Sequence, residues 1–236
     1  MEIKRALLKI SGQILGEKDK IFSKEIFYSI CEEIANVFKS LKVEIAIVVG
    51  GGNILRGSES EKIGIDRVTG DYMGMLATCI NSLAMQNILE KMGVPTRVLS
   101  AIEMNQIAEP YIRRRAIRHL EKKRIVIFAS GTGNPYFSTD TAAALRAIEI
   151  EADIFLKGTK VDGIYSEDPI KNPNAKFYEE IDYDEILKKD LKILDASAVA
   201  LCKENNLPII VFNFTKRGNL EKIFKGEKIG TIVRRI

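Results

Sequence analysis

The sequence predicts an α/β fold built around a largely parallel β-sheet, and three observations lead to this class. Short β-branched runs alternate with helical patterns along the chain, as in the crossover units that join parallel strands. The run VEIAIVV (43–49) is almost continuously apolar, as expected for a strand covered on both faces. Apolar residues make up 46% of the 236 residues, enough to cover both faces of a large sheet. We expect one domain; if it has two lobes, they meet between residues 150 and 160.

Apolar periodicity places the individual elements. Strands are predicted at 3–10, 44–49, 96–99, 125–129, 153–157, 209–213 and 231–234. Helices are predicted at 24–40, 73–91, 111–121, 139–149, 196–205 and 219–224. Ser23 is suited to cap the first helix. The polar segment 165–185 contains two prolines, and we expect it to project from the sheet as an irregular excursion.

Composition argues against several classes of protein. The net charge of +4 suits anionic small molecules without requiring nucleic acid. Three widely separated cysteines favour neither a disulfide framework nor a metal site and are typical of a reducing cytoplasm. His119 is the only histidine, which argues against a zinc site or a serine–histidine triad, and we expect it to be a partly exposed surface residue. The N-terminus is too charged for a signal peptide, and no apolar run approaches the roughly 20 residues of a membrane span, so we expect a soluble cytoplasmic protein.

Two glycine-bearing loops follow predicted strands at positions where α/β sheets collect ligands. In LLKISG (7–12), Lys9 offers a compact cation before an open turn, although an ordinary strand-end lysine is the favoured interpretation of this loop alone. In IVVGGGNILRG (47–57), three consecutive glycines let backbone amides approach an anion, and Arg56 adds a planar cation suited to phosphate. A flexible turn is the alternative, but three glycines cost folding entropy. Neither loop has the spacing of a Walker A or dinucleotide-binding motif.

Two further loops lead into helices. In RVTGDYMGM (67–75), Asp71 either caps the helix or accepts hydrogen bonds from a ribose, and the residue by itself favours capping. In ASGTGNPYFSTDTAAA (129–144), a glycine-rich turn enters a helix whose first amides favour a phosphate. An ordinary helix cap accounts for Ser138 or Thr139 but not for the preceding GTGNP, so a functional loop is favoured here.

Two segments are less specific. FLKGTKVDGIYSEDP (155–169) follows another strand and could surround a nucleotide, although its VDG part alone predicts only a turn. YIRRRAIRHLEKKR (111–124) has eight basic residues and could bind polyanions. It lacks a nucleic-acid-binding motif, so a solvated face or a subunit contact is favoured.

Taken together, these loops resemble those of the amino acid kinase superfamily, and specifically of the bacterial hexameric UMP kinases. The most specific matches are GGGNILRG, RVTGDYMGMLAT, GTGNPYFSTDTAA and EADIFLKGTKVDGIYSEDP, in the family's order along nearly the whole chain. The resemblance implies a three-layer αβα sandwich around a mainly parallel sheet of about eight strands. It also implies a single domain over 1–236, with an acceptor-binding lobe over roughly 1–150 and an ATP-binding lobe over roughly 151–236.

The family's activity is reversible transfer of the ATP γ-phosphoryl group to UMP, in pyrimidine nucleotide synthesis, by a homohexamer with Mg²⁺. The resemblance implies ATP contacts at Lys9, Ile10, Ser11, Gly12, Gly52, Arg56, Thr159, Tyr165 and Asp168. It implies UMP contacts at Gly51, Asp71, Thr132, Gly133, Asn134, Pro135, Tyr136, Phe137, Ser138 and Thr139, which reverses the capping preference for Asp71. The catalytic candidates are Lys9 and Arg56, with Asp140, Lys157 and Asp195 as weaker candidates for organising phosphate and magnesium. No residue is assigned as a direct metal ligand.

The acceptor's chemistry explains why no catalytic histidine is needed. The phosphate of UMP is already a nucleophilic anion, so the enzyme has to supply alignment and charge neutralisation. We expect Lys9 and Mg²⁺ to neutralise the charge that develops on the transferred group. Arg56 and the glycine amides would hold the phosphates in line.

One segment departs from the family pattern. GEKDKIFS (16–23) has a single glycine where family members often carry a glycine-rich stretch associated with activation by GTP. Gln86 and Asn87 stand where some GTP-activated members have arginine and aspartate, although Arg97 is present. Activation by GTP and inhibition by UTP therefore stay open.

Three other functions are alternatives to this one. Kinases of the same superfamily that act on acetylglutamate, carbamate, aspartate or isopentenyl phosphate share the first glycine loop, but not the combination of GTGNPYFSTD with RVTGD. A non-catalytic nucleotide sensor or oxyanion-storage protein would not need Lys9, Arg56 and Asp168 together. Binding of nucleic acid through 111–124 would depend steeply on salt.

Overall fold

The computed structural model describes residues 2–16, 20–55, 62–169 and 171–236. A nine-stranded sheet consists of β1 (Arg5–Ile10), β2 (Glu44–Val49), β3 (Thr96–Ser100), β4 (Glu109–Pro110), β5 (Ile125–Ala129), β6 (Ile154–Thr159), β9 (Glu180–Ile181), β10 (Ile209–Asn213) and β11 (Thr231–Val233). A separate antiparallel pair consists of β7 (Ile164–Tyr165) and β8 (Phe177–Tyr178). The helices are α1 (Gly12–Leu15), α2 (Lys24–Leu41), α3 (Arg67–Lys91), α4 (Arg113–Glu121), α5 (Thr139–Glu149), α6 (Tyr183–Lys188), α7 (Ala196–Glu204) and α8 (Asn219–Phe224).

The strands of the large sheet are mainly parallel. Their order is β4-β3-β5-β2-β1-β6-β10-β11-β9, and β11 runs antiparallel to β10. The central strand β1 is parallel to both β2 and β6, and its register places Lys9 beside Lys157. The carboxyl ends of these strands therefore meet at one edge of the sheet, where ligands of such folds bind.

Side-chain alternation along the strands divides the core into two layers. On β1, Leu8 and Ile10 join the cluster that α2, α3 and α8 cover. Leu7 joins the opposite cluster, which α4 to α7 cover. Successive residues of a strand point to opposite faces, so Lys9 points to the same side as Leu7, toward α5. This arrangement confirms the three-layer sandwich predicted from the sequence, with nine strands in place of about eight.

The differences from the predicted elements have local causes. Strands β4 and β9 have two residues each, too few to show a periodic pattern. Helix α3 begins at Arg67 and not at residue 73, because the Asp66 side chain caps it by accepting a hydrogen bond from the Thr69 amide at 3.1 Å. Ser23 lies at the cap position of α2 but makes no side-chain cap hydrogen bond. The segment 165–185 is only partly irregular, since it contains β8, β9 and the start of α6.

The expectation for His119 was wrong. Its side chain is almost entirely buried on α4, with Nε2 3.1 Å from a Glu109 carboxylate oxygen and Nδ1 3.1 Å from an Arg124 guanidinium nitrogen. An edge strand too short to predict supplies the carboxylate, so the sequence pattern could not reveal this burial. Within the described ranges, no helix combines the length and apolar character that crossing a bilayer requires.

Candidate active site

Two buried lysines share one carboxylate at the carboxyl edge of the sheet. The Lys9 ammonium lies 2.8 Å from an oxygen of Asp140, and Lys157 donates to the other oxygen of the same carboxylate. Lys157 also donates to the carbonyl of Ile193. The lysines come from neighbouring strands in register, and Asp140 comes from the first turn of α5. The sequence singled out all three residues, and the structure brings them together.

The charge of this cluster is unbalanced. Burial raises the pKa of Asp140, but the ammonium groups of Lys9 and Lys157 outweigh burial and bring the pKa down to about 2. Burial lowers the pKa of Lys157; the carboxylate of Asp140 only partly offsets this effect, and the neighbouring Lys9 ammonium lowers the pKa further. With both lysines protonated, the cluster carries one net positive charge in a largely water-free position. Such a site can stabilise negative charge that develops on a bound group.

Beside this cluster, the loops after β1 and β2 pack backbone against backbone. The Gly50 amide donates to the Ile10 carbonyl at 2.9 Å. A Cβ on Gly12 would lie 2.4 Å from the Gly52 nitrogen, and a Cβ on Gly51 would lie 2.8 Å from the Ala77 Cβ. These positions therefore require glycine, and the close packing holds both loops at one place. Arg56, predicted to lie in the second loop, falls outside the described residues.

The loop after β5 leads directly into α5. Ser138 caps this helix, because its hydroxyl accepts hydrogen bonds from the amides of Asp140 at 2.9 Å and Thr141 at 3.2 Å. Within the loop, the Thr132 hydroxyl accepts a hydrogen bond from the Asn134 amide at 3.1 Å. The remaining predicted contacts of this loop, Gly133, Pro135, Tyr136, Phe137 and Thr139, lie in the same segment, with Tyr136 and Phe137 exposed. Backbone and hydroxyl groups of one loop are therefore available to a polar ligand.

Asp71 connects helix α3 to this loop. One of its carboxylate oxygens accepts a hydrogen bond from the Tyr136 amide at 2.7 Å, and the same oxygen lies 2.8 Å from Nε of Arg67. The capping interpretation of Asp71 was wrong, since Asp66 caps the helix and Asp71 lies a turn further along. Arg67, which the sequence did not single out, also lies over the Tyr136 ring at 5.6 Å. Its spacing of four residues from Asp71 on a helix was the available signal.

Asp195 is committed to the starts of two helices. Its carboxylate caps α7 by accepting a hydrogen bond from the Ala198 amide at 2.8 Å, and it also accepts from the hydroxyls of Thr141, at 2.8 Å, and of Ser138. It thus fixes the start of α5, on which Asp140 lies. Because these hydrogen bonds occupy the Asp195 carboxylate, this residue is suited to organise the start of α5 and has little capacity to bind a ligand directly.

The other predicted contacts follow β6. The hydroxyl of Thr159, at the end of this strand, accepts a hydrogen bond from the Val161 amide at 3.0 Å. Tyr165 lies on β7 with its ring 5.2 Å from that of Phe177. The carbonyl of Asp168 accepts a hydrogen bond from the Asn172 amide at 2.9 Å in the connection to β8. Thr159 is thus two residues from Lys157 on one strand, whereas Tyr165 and Asp168 belong to the adjoining hairpin.

Comparison with known proteins gives a consistent result. The model of the amino acid kinase family matches residues 4–213. UMP kinase from Bacillus anthracis, known from a crystal structure, has 39% sequence identity to this chain and a TM-score of 0.96. The match covers 99% of this chain and 97% of that chain. UMP kinase from Ureaplasma parvum is 42% identical over 100% of both chains, with a TM-score of 0.93. Uridylate kinase from Archaeoglobus fulgidus is 25% identical, covering 97% and 99% of the two chains, with a TM-score of 0.76.

Proposed function

We propose roles for the individual site residues of this chain, which belongs to the amino acid kinase family. The function that the site supports best is transfer of a phosphoryl group from ATP to UMP, which forms ADP and UDP. Solved structures 39–42% identical over the full length are UMP kinases, and the reaction serves pyrimidine nucleotide synthesis. The observation that carries the proposal is the pair of buried lysines that share Asp140 where α5 begins.

In this mechanism the Lys9–Asp140–Lys157 cluster neutralises charge. UMP brings its own anionic nucleophile, so no residue has to remove a proton from it. As the phosphoryl group moves, Lys9 supplies positive charge at the end of β1, and Asp140 holds Lys9 and Lys157 in place. Because the three side chains are largely buried, their field is screened less than it would be in water.

The loops divide the two substrates between them. ATP is held by Lys9, Ile10, Ser11, Gly12, Gly52, Arg56, Thr159, Tyr165 and Asp168. UMP is held by Gly51, Asp71 and the segment 132–139. The positive end of the α5 helix dipole favours the acceptor phosphate. We place both sets in one domain, with the acceptor lobe over roughly 1–150 and the ATP lobe over roughly 151–236.

Magnesium enters this scheme with ATP. Among the described residues, no three His, Cys, Asp or Glu side chains are grouped as a metal site. Mg²⁺ in such reactions keeps waters and phosphate oxygens as most of its ligands and needs few carboxylates, so the residues present fit a nucleotide-bound ion. Asp140, in the first turn of α5, and Asp195, which binds the start of that helix, would help to orient the waters of that ion. When bound, Mg²⁺ would neutralise charge on the ATP phosphates.

Self-association is supported by an apolar stripe on α3. Tyr72, Leu76 and Ile80 are spaced four residues apart, and about half of each side chain is exposed. A row of exposed apolar side chains on one helix is suited to contact with another copy of the same helix. We propose that this stripe lies in an interface of the expected homohexamer, and that the protein works in the cytoplasm, where its substrates are made.

Regulation by GTP or UTP concerns the positions that the family resemblance links to effectors, among them Gln86 and Arg97. Arg97 pairs with Glu90 at 3.1 Å and approaches Glu109 to 3.9 Å, and Gln86 donates to the Thr96 carbonyl at 3.2 Å. These side chains are thus already paired within the chain. Titration of GTP and UTP into the activity assay decides whether either is an effector, and a flat response to both would exclude them.

The function is tested by ADP release from MgATP with UMP, CMP, AMP or acetylglutamate as acceptor. We expect turnover with UMP to exceed turnover with each of the others. Equal turnover with all acceptors, or a preference for acetylglutamate, would refute the assignment. Binding of nucleic acid through 111–124 would depend steeply on salt, whereas turnover with UMP should show no dependence so steep.

A further inference from the structure

A buried serine begins the loop that precedes α5. Ser130 follows β5 directly, its side chain is fully buried, and its φ of 63° lies in the left-handed region. Gly131 and Gly133 are also left-handed, with φ of 56° and 81°. Glycine adopts this conformation readily, but serine holds it only where the surroundings stabilise it. The contacts of Ser130 are therefore informative.

Helix α3 anchors the backbone of Ser130. The Thr78 hydroxyl donates to the Met75 carbonyl at 2.7 Å, within its own helix, and accepts a hydrogen bond from the Ser130 amide at 2.9 Å. Because the Thr78 hydroxyl donates its one proton to Met75, it acts only as an acceptor toward the loop. A buried amide without this partner would be costly, since buried backbone donors are almost always paired.

The Ser130 side chain extends the same support to β3. The Ser100 hydroxyl donates to the Ile102 carbonyl at 2.6 Å, so in its 2.8 Å contact with Ser130 it acts as the acceptor. Ser130 thus donates to Ser100, and its oxygen lies 3.0 Å from the sulfur of Cys79, whose thiol donates to the Met75 carbonyl at 3.5 Å. The donors run from Ser130 through Ser100 to the Ile102 carbonyl, and each of these buried groups has a partner.

The loop also lies directly on the segment after β3. The Gly133 amide donates to the Ser130 carbonyl at 2.9 Å. A Cβ on Gly133 would lie 3.1 Å from the Ala101 carbonyl oxygen and 3.3 Å from its Cβ. A displacement of Ser130 would therefore move the residues that follow it, because the loop has no free space on that side.

We propose that Thr78, Ser100 and Ser130 are positioning residues for the acceptor, which set the place of the loop 131–138 without touching the substrate. The inference rests on the proposed function, in which this loop holds UMP. All three side chains are buried beneath the loop, so they act through its backbone. Small displacements of substrate-binding groups have large effects on turnover. Among the described residues, no hydrogen bond joins these three side chains to the loops after β1 and β2, although Gly51 packs against α3 at Ala77 and Thr78. The effect should therefore fall on UMP more than on ATP.

The test compares Thr78→Val with Thr78→Ser. Valine keeps the shape but leaves the Ser130 amide without its acceptor, whereas serine keeps the acceptor. We expect Thr78→Val to raise KM for UMP about tenfold, the effect of one lost hydrogen bond, and to change KM for ATP less than twofold. Thr78→Ser should stay within about twofold of wild type for both substrates. Equal increases in both KM values, or none for UMP, would overturn the proposal.

Amide hydrogen exchange of the substrate-free protein gives a second readout, independent of activity. We expect Ser130→Ala, which leaves no buried donor unpaired, to speed exchange at 131–138 and not in β1 or the 50–52 loop. Unchanged exchange at 131–138 in this variant would refute the positioning role even if Thr78→Val fails to fold. If the wild-type protein shows no UMP turnover while exchange responds as expected, the proposed function fails and the network itself stands.

Discussion

Asp140→Asn removes the charge between the two buried lysines and changes almost nothing else. Asparagine has the same shape, so the change in stability reports the carboxylate charge. The pKa of Asp140 is about 2 in the folded protein against an ordinary value of 3.8. At about 1.4 kcal/mol per pH unit, the ionised carboxylate contributes about 2–3 kcal/mol to the free energy of unfolding at neutral pH. Its side chain is only 14% exposed, so solvent screening reduces this value little.

Two further considerations bound the magnitude. Removal of one partner of a buried ion pair commonly costs about 3–5 kcal/mol, because a charge is left unpaired. Asparagine keeps one side-chain oxygen that can accept a hydrogen bond from a lysine, which avoids part of that cost. We therefore expect a loss of about 2–3 kcal/mol at pH 7.

The sign of the pH dependence follows from the lowered pKa. The stabilisation is fully present above the unfolded value near 3.8 and is lost as the pH falls through the folded value of about 2. The difference between wild type and Asp140→Asn should be constant from pH 7 to about 4 and then shrink on further acidification. Urea unfolding at equal protein concentration measures it, followed by far-UV circular dichroism because the chain has no tryptophan.

Asp190→Asn is the matched control. Asp190 pairs with Lys192 at 2.5 Å, but both side chains are about 80% exposed, so the change should stay within about 0.5 kcal/mol. An Asp140→Asn variant as stable as this control, or a difference that grows as the pH falls, would refute the charge-cluster reasoning.

Three further predictions, one of them with a control variant, test the site and the proposed interface. Lys9→Ala should keep its fold by circular dichroism and lose about 10²–10³ in kcat, and near-wild-type turnover would remove Lys9 from the mechanism. Gly12→Ala should destabilise the protein and abolish turnover, since the new Cβ would lie 2.4 Å from the Gly52 nitrogen. Gly74→Ala is its control: the position is helical and a Cβ there meets nothing within 4 Å, so the unfolding temperature should be unchanged or higher. Leu76→Glu should reduce the mass measured by light scattering below that of wild type, and an unchanged mass would place the assembly surface elsewhere.

Local patterns in the sequence were sufficient for much of the fold. The seven predicted strands were found within a few residues of their places, because alternation and β-branched runs depend only on neighbours along the chain. The glycine loops were equally visible, since glycine at consecutive positions after a strand has few structural uses. Resemblance of those loops to a known family supplied the substrates, which no periodicity could have specified.

The tertiary structure decided how the predicted residues are used. Lys9, Asp140 and Lys157 lie in different elements, and only the register of β1 with β6 and the entry angle of α5 make them one charge cluster. Asp71 does not cap α3, because the helix starts at Arg67 and not at residue 73, where its apolar pattern begins. The left-handed Ser130 was invisible in the sequence, because the groups that stabilise it come from α3 and β3. Such contacts depend on how segments that are far apart in the sequence pack together, and local sequence patterns do not specify this packing.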